Sequence, residues 1–246
     1  MKKDKKIEID RYDQRALQVL NYKKNSKKKI KDYINVPYQY YFSLLKKLKK
    51  TKLLEIGAGT GEHTFKLIKM KFNVCATDIS PKSVEVLNKK YSKYKNFSSK
   101  VADMEKLPYK NESFDVICSA GSLSYGDNNL VMNEIYRVLK LEGWVVLVDS
   151  LNDNPIYRLN RYINYIKGNR TESTLKRMPN VNLIDEYIKK FGYGKIKFFG
   201  SISWAFPILK LLLLEKLITK ISNFLDKYFK IKKSAFKFVL ILNKKK

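Results

Sequence analysis

The sequence predicts an α/β fold in which a mostly parallel β-sheet carries helices on both faces. Two observations lead to this prediction. A short apolar segment over 52–56 runs directly into a glycine-rich turn and a helix start, and further short apolar segments follow, separated by helical stretches. Strand-like segments that alternate with helical ones are typical of βαβ units, and therefore of a parallel sheet. The length of 246 residues is sufficient for one sizeable core with a cap.

The first strand ends in a turn with glycines at alternate positions, Gly57, Gly59 and Gly61. Glycine has no Cβ, so the backbone can turn sharply there and approach a ligand closely. The strand, turn and helix start together present amide N–H groups to that ligand. The G-x-G-x-G spacing, with Glu55 two residues before the first glycine, differs from the G-x-G-x-x-G dinucleotide fingerprint. The turn is predicted to cradle a ligand, unless it is an ordinary turn of another α/β protein.

Acidic residues follow the next two predicted strands. The second strand, over 72–78, ends in Asp78, 17 residues after the last glycine of the turn. A carboxylate in that place can accept hydrogen bonds from both hydroxyls of a ribose, although it can also cap a helix. The third strand, over 97–101, is followed by Asp103 and Met104. Asp103 is a second candidate for ligand binding, with a plain turn residue as the alternative.

The fourth and fifth strands are expected over 113–119 and 144–147, with a helix and the turn 141–143 between them. In this order, the five elements resemble the class I S-adenosylmethionine (SAM) dependent methyltransferases, with a methyltransferase type 11-like domain over about residues 50–150. The glycine turn resembles the first motif of that family. The resemblance implies a Rossmann-like, seven-stranded, mostly parallel sheet with a small N-terminal helical lid and an antiparallel strand over 236–242 near one edge.

The same resemblance implies SAM as the cofactor and S-adenosylhomocysteine as its product. It assigns Asp78 to the ribose, Asp103 to the adenine amino group and Met104 to packing on the adenine ring. The backbone near Ser119 is implied to face the methionine part. The implied cofactor-binding residues are Glu55, Gly57, Gly59, Gly61, Asp78, Ile79, Asp103, Met104, Ser119 and Tyr12. No metal is expected, because the chain has one histidine and no Cys/His cluster.

The chain is expected to form one domain in three parts. Residues 1–50 are predicted to form a helical lid, 51–149 the SAM-binding core, and 150–246 the rest of the same domain. The stretch 150–180 lacks clear periodicity and is expected to be an acceptor-binding loop region, since long loops in compact domains are usually functional. The other elements expected in the last part are a helix over 181–191, a strand over 195–199, an amphipathic basic helix over 208–230 and the closing strand over 236–242.

Three side chains are candidates for acceptor chemistry. His63, the single histidine of the sequence, is expected one turn into the helix after the glycine turn. There it can act as a general base, or it can simply pack in the helix. Tyr125 and Asp127 follow the fourth strand, on the side where the family binds its acceptor. Either of them can orient an acceptor hydroxyl.

Four of the seven arginines, Arg158, Arg161, Arg170 and Arg177, fall within 20 residues of a chain that otherwise uses lysine. The planar fork of arginine suits phosphate or carboxylate, so these residues predict an anionic acceptor, unless they pair with nearby acids. The stretch 151–179 also resembles a subgroup from bacterial surface and capsular polysaccharide gene clusters. That resemblance implies methylation of a hydroxyl or phosphoryl oxygen on a sugar nucleotide, a phosphorylated sugar or a phosphoramidate-type intermediate.

The net charge is +28, carried by 51 basic residues that are spread along the chain. A solvated surface is the main interpretation, including an exposed run over Lys23–Lys29; weak attraction to a membrane surface is an alternative, and nucleic acid is a less favoured partner. Cys75 and Cys118 lie in predicted strands and are expected to be buried thiols. No signal peptide or membrane-length apolar run is visible, so a cytoplasmic location is expected. The oligomeric state is not predicted.

Three other functions stay open. An RNA or DNA methyltransferase is disfavoured, because no Asp-Pro-Pro-Tyr or Asn-Pro-Pro-Tyr motif for a flipped base follows the fourth strand. A lipid or quinone methyltransferase would use the amphipathic basic segment 208–230. A SAM-binding partner protein without catalysis would keep the cofactor positions, and these are all in place.

Overall fold

A computed structural model describes residues 3–21, 32–48, 51–209, 214–229 and 231–245. The basic run Lys23–Lys29 lies outside these ranges. The strands are β1 (Lys52–Ile56), β2 (Asn73–Asp78), β3 (Phe97–Val101), β4 (Phe114–Ala120), β5 (Leu139–Ser150), β6 (Gly192–Phe199) and β7 (Lys237–Lys244). The helices are α1 (Lys3–Asn21), α2 (Asp32–Lys47), α3 (Thr64–Lys69), α4 (Pro81–Tyr91), α5 (Asn128–Val138), α6 (Pro155–Ile166), α7 (Glu172–Lys176), α8 (Val181–Phe191), α9 (Phe206–Leu209) and α10 (Glu215–Tyr228).

The seven strands form one sheet in the order β3-β2-β1-β4-β5-β7-β6. The pairs from β3 to β5 are parallel, whereas β7 runs antiparallel to both of its neighbours, β5 and β6. The predicted Rossmann-like, mostly parallel sheet is therefore confirmed, including the antiparallel strand next to one edge. The order reverses between β1 and β4, and open α/β sheets bind ligands outside the carboxyl ends of their strands at such a point.

Side chains of alternate strand residues pack into two separate cores, one on each face of the sheet. Leu54 and Leu147 pack on one face with helices α5 and α8, whereas Leu53 and Val146 pack on the other with α2, α3 and α4. All four of these side chains are fully buried. Because side chains alternate between faces along a strand, a continuous apolar run in β5 serves both cores at once.

The segment 150–180 is helical, and its prediction as a loop region is wrong. Asn154 caps α6 by accepting a hydrogen bond from the Ile156 amide, and Pro155 stands at the first helical position. Thr171 caps α7 in the same way through the Thr174 amide. The helical spacing of the apolar residues in α6 and the Asn154-Pro155 start were the available signals in a stretch otherwise rich in Asn and Arg.

The single helix predicted over 208–230 is also wrong in its bounds. The structure has the short helix α9 and the separate helix α10, and residues 210–213 between them lie outside the described ranges. The helix predicted over 181–191 is present as α8. The strands predicted over 195–199 and 236–242 are present as β6 and β7. Across the described ranges, every helix is too short or too polar to span a bilayer.

The inserted strand β7 should carry much of the stability of the sheet. Leu240 in its centre is 0% exposed and pairs across to Leu147 and Ile196. Leu240→Ala should lower the free energy of unfolding in urea by about 2–5 kcal/mol, because it leaves a cavity in the core between the sheet and helices α5 and α8. Leu141→Ala, at a side chain that is 39% exposed, should cost less than about 1 kcal/mol. Equal effects of the two substitutions would contradict the central position of β7.

Candidate functional site

A cavity of about 750 Å³ opens at the carboxyl edge of the sheet, at the point where the strand order reverses. Its walls come from the glycine turn after β1, the ends of β2, β4 and β5, helix α1 and the start of β7. The volume lies within the range that small-molecule and cofactor sites usually have. Among the described residues, no group of three or more His, Cys, Asp or Glu side chains is placed to hold a metal ion.

The glycine turn forms the floor of the cavity and depends on glycine at two places. Gly57 has a φ of +65°, and a Cβ there would lie 2.4 Å from the Cβ of Ser122. Gly61 has a φ of +85°, and a Cβ there would lie 2.5 Å from the Tyr91 ring. Gly57 and Gly59 line the cavity, whereas Gly61 instead packs the turn against α4. The turn is thus held close to both the fourth strand and α4, with its backbone facing the cavity.

Asp78 holds the turn in place from the end of β2. Its Oδ2 accepts a hydrogen bond from the Gly59 amide at 2.8 Å, and its Oδ1 accepts one from the Ser80 amide at 2.9 Å. The side chain lines the cavity, and burial raises the pKa of its carboxyl while both amides oppose that shift. Ser80, not Asp78, caps α4, by accepting from the Ser83 amide. Asp78 therefore lies in the cavity wall with both carboxylate oxygens hydrogen-bonded to backbone amides.

Glu55 lies in β1, two residues before the first glycine of the turn, and is buried. Its carboxylate accepts a hydrogen bond from the Thr64 hydroxyl at 2.6 Å, which ties β1 to the first turn of α3. Burial raises the pKa of Glu55 to about 7, while the hydrogen bond from Thr64 opposes the rise. Glu55 also lines the cavity.

Ile79, Asp103 and Met104, three of the implied cofactor residues, also line the cavity. Asp103 accepts a hydrogen bond from the Glu105 amide at 2.9 Å. It is also ion-paired with Lys5 of α1, and the Lys5 ammonium lies 2.7 Å from Glu105 as well. A ligand amino group at Asp103 would therefore share this carboxylate with Lys5.

Helix α1 covers the cavity from above. Tyr12 lines the cavity and packs edge-on against Tyr125, with ring centroids 5.3 Å apart. Burial raises the pKa of Tyr12 far above its ordinary value, so its phenol stays protonated at neutral pH. Glu8 accepts a hydrogen bond from Thr171 at 3.0 Å, and Asp13 accepts one from the Lys82 amide at 3.1 Å. These contacts connect α1 to both the 150–180 segment and the start of α4.

A second set of lining residues, called the basic end below, is aromatic and basic. Tyr38, His63, Arg170 and Lys237 belong to it. His63 stacks on Tyr38 with ring centroids 4.8 Å apart, and Lys237 lies 5.2 Å from the centre of the same tyrosine ring. Burial, together with the charges of Lys66 and Lys237, lowers the pKa of His63 to about 4. The imidazole is therefore neutral at pH 7, which leaves it free to accept a proton, although only as a weak base.

His63 differs from its predicted place, since it occupies the N-cap position just before α3, without a capping hydrogen bond from its side chain, instead of lying one turn inside the helix. Tyr125 lines the cavity, but Asp127 does not: its carboxylate caps α5 by accepting from the Asn129 and Leu130 amides. The Ser119 side chain contacts the Ser122 hydroxyl below the cavity, and the neighbouring Ala120 lines it.

The four clustered arginines occupy four different environments. Arg170 lines the cavity, whereas Arg158 lines a separate groove of about 520 Å³ between α6 and α7. Arg161 is buried and donates to the carbonyl oxygen of Leu151 and the side chain of Asn152, both at 2.8 Å. Arg177 lines neither opening, and its carbonyl oxygen accepts from Asn128 at 2.9 Å. The structure thus brings one of the four arginines to the cavity.

Sequence reasoning did not identify Lys237, Tyr38 or Asp149 as cavity residues. Lys237 is 7% exposed and precedes five apolar residues of β7, and a lysine between Phe236 and Phe238 was the available signal. Asp149, at the end of β5, accepts hydrogen bonds from the amides of Leu123 and Ser150. No local pattern marks an acid in that role.

Comparison with known proteins places this site in a defined class. Residues 54–147 match the family model for a methyltransferase domain. The central part of the chain is therefore a methyltransferase domain, and its cavity coincides with the glycine turn and the strand ends of that matched segment.

The relatives support the same class. An uncharacterized methyltransferase-like protein of Schizosaccharomyces pombe is 28% identical over 175 residues, covering 70% of this chain and 63% of its own. A demethylmenaquinone methyltransferase of Lactobacillus johnsonii is 34% identical over 127 residues, covering 48% and 52%. The chain thus spans between about half and two thirds of the length of these curated relatives.

A solved structure with the same fold contains the cofactor product. It is a Haemonchus contortus phosphoethanolamine N-methyltransferase in complex with phosphomonomethylethanolamine and S-adenosylhomocysteine. The identity is 18% and the TM-score is 0.58, over 85% of this chain and 52% of that one. The fold is therefore that of a SAM-dependent methyltransferase.

The raised pKa of Glu55 predicts a pH dependence of stability. Its folded pKa of about 7 lies above the ordinary 4.5, so the folded state holds this proton more tightly, and stability falls as pH rises between those values. The free energy of unfolding of the Glu55→Gln variant should therefore rise relative to that of the wild type between pH 5 and pH 8, by up to about 3 kcal/mol. Urea unfolding at several pH values measures the difference. His63 titrates in both proteins, so its effect cancels, and a pH-independent difference would contradict the prediction.

Proposed function

We propose that the protein transfers a methyl group from SAM to an oxygen of a small anionic acceptor. The observation that supports this most is a single cavity whose lining contains two chemically different sets of residues. The first set, called the first end here, is the glycine turn with Asp78 and Asp103, and the second, the basic end, includes Arg170 and Lys237. The first set suits a nucleoside with a charged tail, and the second suits phosphate or carboxylate.

The residues at the first end fit SAM. The backbone at Gly57 approaches the cavity without a Cβ, the Asp78 carboxylate is fixed by two amides, and Met104 offers an apolar surface. Glu55, Ile79 and the backbone after Ser119 complete the proposed binding set, with Tyr12 above it. When bound, SAM supplies a methyl group on a positively charged sulfur, which is open to displacement by a nucleophile.

The chain itself contributes alignment and exclusion of water. Alignment of two reactants can supply about 7–11 kcal/mol of the barrier reduction. Helix α1 closes the cavity above, and Tyr12 and Tyr125 narrow it. A phosphoryl oxygen that is already anionic needs no base, whereas a hydroxyl must lose a proton. In the second case, His63 is the neutral group at the basic end that can take this proton.

The nature of the acceptor rests on the basic end and on resemblance. Arg170 and Lys237 favour an anion, and a sugar nucleotide, phosphorylated sugar or phosphoramidate-type intermediate meets that requirement. A role in surface polysaccharide biosynthesis is supported only by the similarity of 151–179 to that methyltransferase subgroup. Fold alone does not fix the acceptor.

A quinone acceptor is the second candidate. A demethylmenaquinone methyltransferase is among the relatives, at 34% identity. An RNA acceptor and a non-catalytic SAM-binding role have no specific observation in their favour. Methyl transfer assays with nucleotide sugars, hexose phosphates, demethylmenaquinone and transfer RNA separate these functions. Transfer to the quinone or to the RNA, and none to the anionic sugars, would replace the proposal.

Asp78 should be required for cofactor binding. Asp78→Ala should weaken binding of S-adenosylhomocysteine about ten- to a hundredfold in calorimetry, because a carboxylate that meets the ribose is lost. Asp185→Ala, an exposed acid on α8, is the matched control and should bind as the wild type does. Thermal unfolding of both variants checks that the glycine turn is intact. Unchanged affinity in a folded Asp78→Ala protein would refute the assignment.

Arg170 should distinguish acceptor binding from cofactor binding. Arg170→Lys keeps the charge but loses the planar fork, so kcat/KM for the best anionic acceptor should fall roughly tenfold or more. Lys237→Met should have a similar effect, and the affinity for S-adenosylhomocysteine should stay nearly constant in both variants. Arg177→Lys lies outside the cavity and should behave as the wild type. If Arg170→Lys and Arg177→Lys were indistinguishable, the basic end would not bind the acceptor.

A further inference from the structure

Helix α6 presents a stripe of large apolar side chains to solvent. Ile156, Leu159, Ile163 and Ile166 are 46%, 61%, 41% and 68% exposed. Their spacing of three and four residues places them on one side of the helix, and Arg161 is buried on another. The stripe therefore does not hold α6 to the body of the protein. Exposed contiguous apolar surface of this kind marks an interaction site more often than a chance surface.

Helix α10 presents a second stripe with the same spacing. Leu214, Leu217, Ile221, Phe224 and Tyr228 are between 39% and 81% exposed. The helix packs inward through a different side, where Ile218 and Ser222 are buried. The second stripe, like the first, is left without a partner among the described residues.

The two stripes belong to the same edge of the molecule. β5 and β6 both run antiparallel to β7, so they end at the same edge of the sheet. Helix α6 follows β5, and the segment 200–203 follows β6. Asp226 of α10 accepts from the Gly200 amide at 2.6 Å, and Ser203 lies 2.6 Å from the hydroxyl of Tyr157 in α6. Both helices are thus anchored on one segment, at the carboxyl edge where the cavity also opens.

Basic residues accompany both stripes, and an exposed acid nearby, Glu172 of α7, is ion-paired with Lys176 at 2.6 Å. Helix α6 contains no acid. In α10, Asp226 is turned inward to Gly200 and Ser201, and Lys220 and Lys227 share a side next to the apolar stripe. The groove between α6 and α7 joins the apolar side chains of Leu159, Tyr162 and Leu175 with the charges of Arg158 and Lys176. An apolar strip with a cationic border matches the layered chemistry of an anionic bilayer surface.

We infer that α6 and α10 together form a docking surface for an anionic lipid bilayer. The apolar stripes enter the level of the headgroups, and the flanking lysines and Arg158 contact lipid phosphates. A second copy of this chain is a poorer occupant, because two surfaces of a protein with net charge +28 repel each other. Docking at this edge brings the mouth of the cavity to the membrane surface.

Vesicle flotation of the full chain tests the inference. Wild-type protein should float with vesicles of equal parts phosphatidylglycerol and phosphatidylcholine, and much less with phosphatidylcholine alone. The double variant Leu159→Ser/Phe224→Ser should lower partition roughly tenfold or more, because two apolar side chains no longer enter the bilayer. Leu141→Ser, an exposed leucine at the far end of β5, is the matched control and should float as the wild type does.

The fluorescence of Trp204 reports locally on the docking of α6 and α10 to vesicles. Trp204 is 39% exposed and donates to the carbonyl oxygen of Ser201, within the segment that joins the two helices. In a Trp144→Phe background, its fluorescence should shift to the blue with anionic vesicles. Lys220→Gln/Lys227→Gln should weaken flotation severalfold, while Lys89→Gln/Lys95→Gln, which is equal in charge, should not.

The contrary results are equally distinct. Flotation that the Leu159→Ser/Phe224→Ser substitutions leave unchanged, or equal flotation with phosphatidylcholine alone, would overturn the inference. Absence of flotation, with a dimer in sedimentation velocity that the double variant abolishes, would show that a second copy covers the surface. Calorimetry with S-adenosylhomocysteine runs beside each variant. A variant that binds this compound normally is folded, and failure of the methyltransferase proposal would leave flotation unaffected.

Discussion

The site depends on one carboxylate that accepts hydrogen bonds from two backbone amides. Asp78 ends β2, yet its oxygens hold Gly59 in the turn after β1 and Ser80 at the start of α4. Three elements that are separate in sequence are therefore fixed to one another at the carboxyl edge. The glycine turn needs this support, because its positive φ values keep it from any regular element. The side chain that shapes the turn is also the one proposed to bind the ribose.

A second carboxylate repeats the arrangement on the other side of the cavity. Asp149, at the end of β5, accepts from the Leu123 and Ser150 amides and so fixes the short helical turn that carries Tyr125. Burial raises the pKa of Asp149, and the nearby charge of Lys237 opposes the rise. Both walls of the cavity thus rest on buried acids satisfied by backbone donors, which costs less than burying them unpaired.

Much of this architecture could be predicted from local pattern. Alternating apolar strands and helices predicted the parallel sheet, and the G-x-G-x-G turn and Asp78 were expected in the site and do line the cavity. The basic end could not be predicted in the same way, because its residues come from distant segments: Tyr38 from α2 and Lys237 from β7. The arginines show the limit most clearly. Their clustering in sequence was real, but the helical turn of α6 sends Arg158 and Arg161 in different directions.

Helix α1 is attached to the rest of the protein by a different kind of contact. Neither of the two cores contains a described residue of α1. Its polar contacts join Lys5 to Asp103, Glu8 to Thr171 and Asp13 to the start of α4, while Ala16 is fully buried and Tyr12 packs on Tyr125. The side chains of Lys5 and Glu8 are only 11% and 7% exposed, so salt screens these charges weakly. Removal of the Lys5 ammonium would leave Asp103 and Glu105 without their cation, and the cavity wall that they form would become more negative.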